Sequence, residues 1–136
     1  MVRVCREGGL IAICCWTPEG SVGDVLGASA SYLPPPPDFA SPPILWGTEE
    51  HVREMFVSAT SFEFERHSAT IEWESLEGFA DLFMDTFGPM VTARQMLGDR
   101  FGVLRGEILE IWGRWNESDD GRFILPQEYL LSVVRL

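Results

Sequence analysis

The sequence predicts an α/β fold in one domain, and three patterns carry that prediction. A continuous apolar run, Leu10-Ile11-Ala12-Ile13-Cys14-Cys15-Trp16, follows the turn signal Gly8-Gly9 and reads as a strand buried on both faces in a parallel sheet. Two later segments, 61–74 and 123–136, alternate or concentrate β-branched and aromatic residues as strands do. Between these, apolar residues recur at steps of three and four, which is the period of an amphipathic helix.

The first strand, 10–16, needs neighbours on both sides and helices above and below if every side chain in it is to leave water. Thr17-Pro18-Glu19-Gly20-Ser21 breaks it, and Val22, Val25, Leu26, Ser29 and Leu33 then fall at the spacing of a short helix rich in small residues. Pro34 to Pro37 end that helix because each lacks an amide donor, and the run to Pro43 is a connecting loop. Thr48 before Glu49 and Glu50 starts the next helix, with a hydroxyl to cap free amides and carboxylates at the positive end of the dipole; Val52, Met55 and Phe56 form its buried stripe.

In the second strand Phe62 and Phe64 share one parity while Ala69, Ile71 and Trp73 share the other, so a bulge near Arg66 to Ser68 is expected. Ser75 caps a helix whose Leu76, Phe79, Ala80, Phe83 and Phe87 lie on one face, ended by Gly88-Pro89. Leu97, Phe101, Leu104, Ile108, Ile111 and Trp115 predict a long amphipathic helix after it. Asn116 through Gly121 are a polar turn into the last strand.

The chain has 136 residues, near the commonest domain size, and is 46% hydrophobic, ample for a packed core. A formal charge of -11 repels phosphate backbones and anionic lipid heads, which argues against nucleic acid and membrane surfaces as partners. Arg3 and Arg6 ahead of an apolar run of seven residues do not make a signal peptide, since Glu7 interrupts and no small-x-small site follows. No stretch approaches the roughly 20 apolar residues that span a bilayer. Cys5, Cys14 and Cys15 read as buried structural thiols of a cytoplasmic protein, because neighbouring strand residues point to opposite faces and cannot bridge. Two adjacent cysteines without nearby partners also give no tetrahedral metal site.

The opening Arg3-Val4-Cys5-Arg6-Glu7-Gly8-Gly9-Leu10-Ile11-Ala12 resembles the junction in class I S-adenosylmethionine (SAM)-dependent methyltransferases where a helix ends in a Gly-Gly turn and enters the fifth strand. Glu7 stands where proline is usual. Trp16-Thr17-Pro18-Glu19-Gly20, Pro34 to Pro37, Leu45-Trp46-Gly47-Thr48-Glu49-Glu50-His51-Val52, Phe62-Glu63-Phe64-Glu65-Arg66, Phe87-Gly88-Pro89 and Asp119-Asp120-Gly121 before Pro126-x-Glu128-Tyr129-Leu130 follow in the order of a bacterial subgroup. That subgroup is similar to the ubiquinone and menaquinone biosynthesis methyltransferases.

The resemblance implies a Rossmann-like sheet of seven strands with the last one antiparallel between the fifth and sixth. Leu10 to Trp16 would be the fifth strand, 61–74 the sixth and 123–136 the seventh, with 75–116 a helical insertion on the substrate side. The chain, 1–136, would be the C-terminal half of such a domain. These enzymes hold SAM on a Gly-rich turn after the first strand and an acidic residue after the second. Neither is present, so the chain alone is not expected to bind SAM or to catalyse. Gly20-x-x-Gly23 and Gly23-x-x-x-Gly27 lack the tight G-x-G core and read as a small-residue helix packed closely on a neighbour.

No catalytic, cofactor-binding or metal-ligating residue emerges. His51 reads as a solvated or capping residue; His67 sits at the strand irregularity, with contact to substrate the lesser reading; and the pairs Glu49-Glu50, Asp119-Asp120 and Glu72-x-Glu74 read as caps, turns and solvated faces. The candidate substrate-binding residues are Trp16 and Thr17, at the carboxyl end of the first strand where open α/β sheets bind ligands, and Phe83, Phe87 and Pro89 on the helices. Plain core packing is the competing reading for each aromatic. The partners implied are a small-molecule substrate together with a complementary N-terminal methyltransferase half or a second copy. The alternative function is a non-catalytic dimerisation or small apolar ligand-binding module, with strand addition at Leu10 to Trp16.

Overall fold

The computed structural model describes residues 1–35, 37 and 39–136. Pro36 and Asp38, part of the proline-rich loop read from the sequence, lie outside the described residues. Three strands, β1 (Leu10–Trp16), β2 (Ser61–Trp73) and β3 (Phe123–Arg135), form one sheet in the order β1-β3-β2. The helices are α1 (Ser21–Ala30), α2 (Glu49–Met55), α3 (Leu76–Thr86), α4 (Gly88–Leu97) and α5 (Phe101–Trp115). The molecule is therefore α/β, built on a small antiparallel sheet.

The last strand lies between the other two and runs antiparallel to both. β1 and β2 are thus parallel to each other without touching, and among the described residues β1 is an edge strand, where the sequence predicts the interior strand of a parallel sheet. Gly8, at φ 69°, occupies the left-handed region that turns the chain into β1. Its amide donates to the Leu136 carbonyl at 3.1 Å and the Leu136 amide to Gly9 at 3.0 Å, which fixes the pairing from its first residue.

The expected bulge near Arg66 to Ser68 is absent: β2 pairs with β3 in unbroken register from Ser61↔Arg135 to Trp73↔Phe123. The parity change instead marks where the sheet changes the face it buries. On one face Phe62 and Val134 pack with Ile11, and α2 covers them with Val52 and Phe56. On the opposite face, farther along the strands, Ile71, Phe123 and Leu125 lie under α3, α4 and α5, with Ala80, Met84, Met90, Leu104, Ile108 and Trp112. A continuous ladder can serve two cores only if its apolar positions change parity midway.

The strand faces also correct the expectation that 10–16 is buried on both sides. Ile11 is buried, but Leu10, Ala12, Cys14 and Trp16, on the other face, are exposed. Cys14 is therefore not a buried thiol; Cys5 and Cys15 are half-buried, and all three are free.

The helix starts follow their caps. Thr48 accepts a hydrogen bond from the His51 amide at 3.4 Å and Ser75 one from Gly78 at 3.1 Å. In α2 the buried positions are His51 and Val52, joined by Phe56 just after the helix, while Met55 is exposed. His51 is thus no solvated residue: its ring meets Trp46 edge-on with centroids 5.2 Å apart. Arg53 lies over Phe62 and Phe64 at 5.0 and 4.7 Å from their centroids, screening that face with its guanidinium. Gly88-Pro89 ends α3 and at once opens α4, where proline is tolerated in the first turn. The long apolar period breaks at Gly98–Arg100, a 3-10 turn, so Leu97 closes α4 and α5 begins at Phe101. Asn116 organises the turn into β3, accepting from the Ile124 amide at 2.8 Å and from Ser118 at 3.2 Å. Trp115 ties α5 to α1 by donating to Asp24 at 2.8 Å.

Candidate functional site

Two glycines set the geometry at the carboxyl end of β1. The 3-10 turn Pro43–Gly47 crosses that end so closely that a Cβ on Gly47 would stand 2.7 Å from the Trp16 carbonyl carbon and 2.9 Å from the Thr17 Cα. On the other side the first turn of α1 rests on the Thr17-Pro18 bend, where a Cβ on Gly23 would stand 2.5 Å from the Pro18 carbonyl carbon. Gly23 therefore serves helix packing, whereas Gly27 has nothing within 4 Å.

Between these elements and the α3-α4 corner lies a cavity of about 470 Å³. β1 contributes Cys15 and Trp16; α1 contributes Val22, Val25, Leu26 and Ser29; the 3-10 turn contributes Pro43 and Ile44. The remaining wall is Ile71 of β2, Phe79 and Phe83 of α3, Phe87, Pro89 and Met90 at the corner, Trp112 of α5 and Gln127 of β3. Phe83 stacks on Phe87 with centroids 4.6 Å apart and meets Trp112 edge-on at 5.1 Å. Helical spacing produces this wall: Phe79, Phe83 and Phe87 follow one another at intervals of four along one face.

The wall is almost wholly apolar. No carboxylate, imidazole or cation contributes to it among the described residues. The Ser29 hydroxyl donates to the Val25 carbonyl at 2.7 Å, within its own helix. The Cys15 thiol contacts the Pro43 carbonyl at 3.7 Å, and burial, reinforced by Cys14, pushes its pKa above the usual thiol value. A thiol held protonated is a poor nucleophile, so Cys15 is a wall residue.

Four of the five substrate-binding residues proposed from the sequence, Trp16, Phe83, Phe87 and Pro89, line this one cavity. Thr17 does not. It is fully buried behind the bend, where its hydroxyl donates to Glu128 Oε1 at 3.1 Å and its amide to the Glu128 carbonyl. Sequence reading missed Trp112, which lies off the main stripe of α5, and Gln127, a polar residue inside a strand. The period of α1 could have supplied Val22, Val25 and Leu26.

Elsewhere, Arg66 bridges Glu128 at 2.6 Å and Glu19 at 3.6 Å, and these partners hold its guanidinium more firmly protonated. His67 bonds Glu65 at 2.9 Å and packs near Tyr129, away from the cavity. A second depression of about 550 Å³, lined by Glu72, Trp73, Glu74, Arg122 and Ile124, is open and charged. Glu49 pairs with Arg53 at 3.5 Å within α2. No helix is long and apolar enough to cross a membrane among the described residues.

No known family profile matches the chain. It is 31% identical over 140 residues to the uncharacterized protein Rv1403c of Mycobacterium tuberculosis, an alignment that takes 99% of this chain and 50% of that protein. The uncharacterized protein Rv1405c of the same organism is 31% identical over 137 residues, with 96% and 48% covered. The Mycobacterium bovis protein Mb1438c, also uncharacterized, matches at 31% over 140 residues. The chain spans about half the length of the curated relatives it matches.

Proposed function

We propose that this chain forms the acceptor-binding side of a class I SAM-dependent methyltransferase acting on a small molecule. The observation that carries the reading is the strand order: a last strand antiparallel to, and between, two strands parallel to each other. That is the arrangement the family resemblance implies for the fifth, seventh and sixth strands of a Rossmann-like sheet. The apolar cavity at the carboxyl end of β1 adds support, because open α/β sheets place ligands there.

The residues around the cavity do not fit SAM itself. Among the described residues no carboxylate lines it to take a ribose, and the space beside Gly23 is filled by the Pro18 carbonyl instead of being left for a ligand. The reading therefore gives the methyl donor to a complementary half and the acceptor to this chain. Transfer of a methyl group depends on alignment and on a water-poor pocket more than on an acid or base. Trp16, Phe79, Phe83, Phe87, Pro89 and Trp112 would exclude water and hold the acceptor in place.

Calorimetric titration with SAM tests the division. The mycobacterial relative, of about twice the length, should bind SAM, and this chain should not. Micromolar binding by this chain, or no binding by the longer relative, defeats the proposal. A second reading, a non-catalytic dimerisation module, is favoured by the free edge of β1 and the exposed Leu10, Ala12 and Cys14 beside it. A chain that sediments as a monomer, with the amides of Leu10, Ala12 and Cys14 exchanging freely, counts against that second reading.

A further inference from the structure

We infer that the cavity selects an uncharged molecule with two or three rings, oriented through one polar group by the side-chain amide of Gln127. The inference rests on the acceptor-pocket reading and narrows it. About 470 Å³ suits a ligand of roughly 15–20 heavy atoms. Its walls are aromatic on the α3-α5 side, with Phe83 and Phe87 stacked and Trp112 standing edge-on to Phe83. Such rings reward the flat faces and edges of another ring system more than a flexible alkyl chain, which also loses rotamer freedom on entry. A charged ligand would enter without a countercharge on the wall, which is costly.

Among the described residues lining the cavity, one side chain can recognise polarity in both senses. Ser29 spends its proton on Val25, and the Cys15 thiol is turned to Pro43. Trp16 and Trp112 bring indole N–H groups that can only donate. Gln127 carries a donor and an acceptor together. It sits on β3 just past the end of β1, opposite Ala69, whose single methyl leaves the amide room on that face.

The test titrates the chain calorimetrically with 2-naphthol, 2-methylnaphthalene, decan-1-ol and naphthalene-2-sulfonate. The naphthol should bind about tenfold tighter than the alkyl alcohol or the sulfonate. Gln127→Leu should weaken naphthol about tenfold and leave methylnaphthalene unchanged, since only the former loses a hydrogen bond. Should Gln127→Leu lose its cooperative melt, Gln127→Met carries the same comparison. Equal binding of decan-1-ol, equal binding of the sulfonate, or a Gln127 variant indifferent to naphthol overturns the inference and leaves the acceptor pocket standing. Failure of every probe to bind the folded chain overturns both.

Discussion

Replacing Gly47 with alanine tests the packing that shapes the cavity. The added methyl would stand 2.7 Å from the Trp16 carbonyl carbon and 2.9 Å from the Thr17 Cα, against an ordinary contact of 3.4 Å or more. Both neighbours are backbone, and β1 is held by its ladder to β3, so no side-chain rotation relieves the clash. The Trp16 carbonyl oxygen would be closer still, so the 3-10 turn Pro43–Gly47 must retreat by more than an ångström. Overpacking of this kind costs about 1–3 kcal/mol, which in a chain of this size lowers the melting temperature by roughly 3–10 °C. Because Pro43 and Ile44 on that turn form one wall of the cavity, affinity for 2-naphthol should fall in the same variant. Gly106→Ala, in α5 with nothing within 4 Å, is the counterpart and should stabilise by about 0.5–1 kcal/mol through helix propensity. Thermal circular dichroism reads both. A Gly47→Ala protein that melts with the parent and keeps its affinity would refute the close approach of the turn to β1.

Two further substitutions probe the surroundings. Thr17→Val keeps the buried volume and removes the hydroxyl that donates to Glu128, so urea unfolding should report a loss of about 1 kcal/mol, while ligand affinity stays unchanged because Thr17 stands outside the cavity wall. Asp120 is held to about 2 from 3.8 by the Ser118 hydroxyl, the Arg122 amide and the Arg122 guanidinium. Its folded-state pKa is depressed, so its contribution is complete above about pH 4 and fades as pH falls toward 2. Asp120→Asn should therefore melt below the parent at neutral pH and converge with it near pH 2, and parallel curves throughout would defeat the assignment.

The sequence made the strands legible because each rests on a local cue. Leu10 to Trp16 is bounded by Gly8-Gly9 and Pro18, and the observed strand has those ends. Thr48 and Ser75 announced their helices through hydroxyls that do cap them. The cavity wall was legible in part, because residues at intervals of four on α3 must share a face whatever they pack against. Other features depended on information no local pattern holds. The parity change in β2 suggested a bulge because it looks the same as a change of buried face; only the positions of α2 and α5 on opposite sides separate the two. His51 looked like a solvent-facing first-turn residue until Trp46, brought close by the preceding 3-10 turn, covered it. Thr17 stood one residue from the cavity, but the reversal of side-chain direction along a strand end turned it inward to Glu128.

The central position of β3 constrains the order of events during synthesis. Among the described residues β1 and β2 share one partner strand, β3, which leaves the ribosome after both, since the two earlier strands never touch. Both apolar clusters also wait for that segment, one for Val134 and the other for Phe123 and Leu125. Helices can form early, yet the sheet must close in a single late step that joins contacts more than a hundred residues apart for β1. A nascent chain stalled before that segment would leave β1 and β2 without the strand that joins them, which makes the interval a natural target for chaperones that hold extended apolar segments.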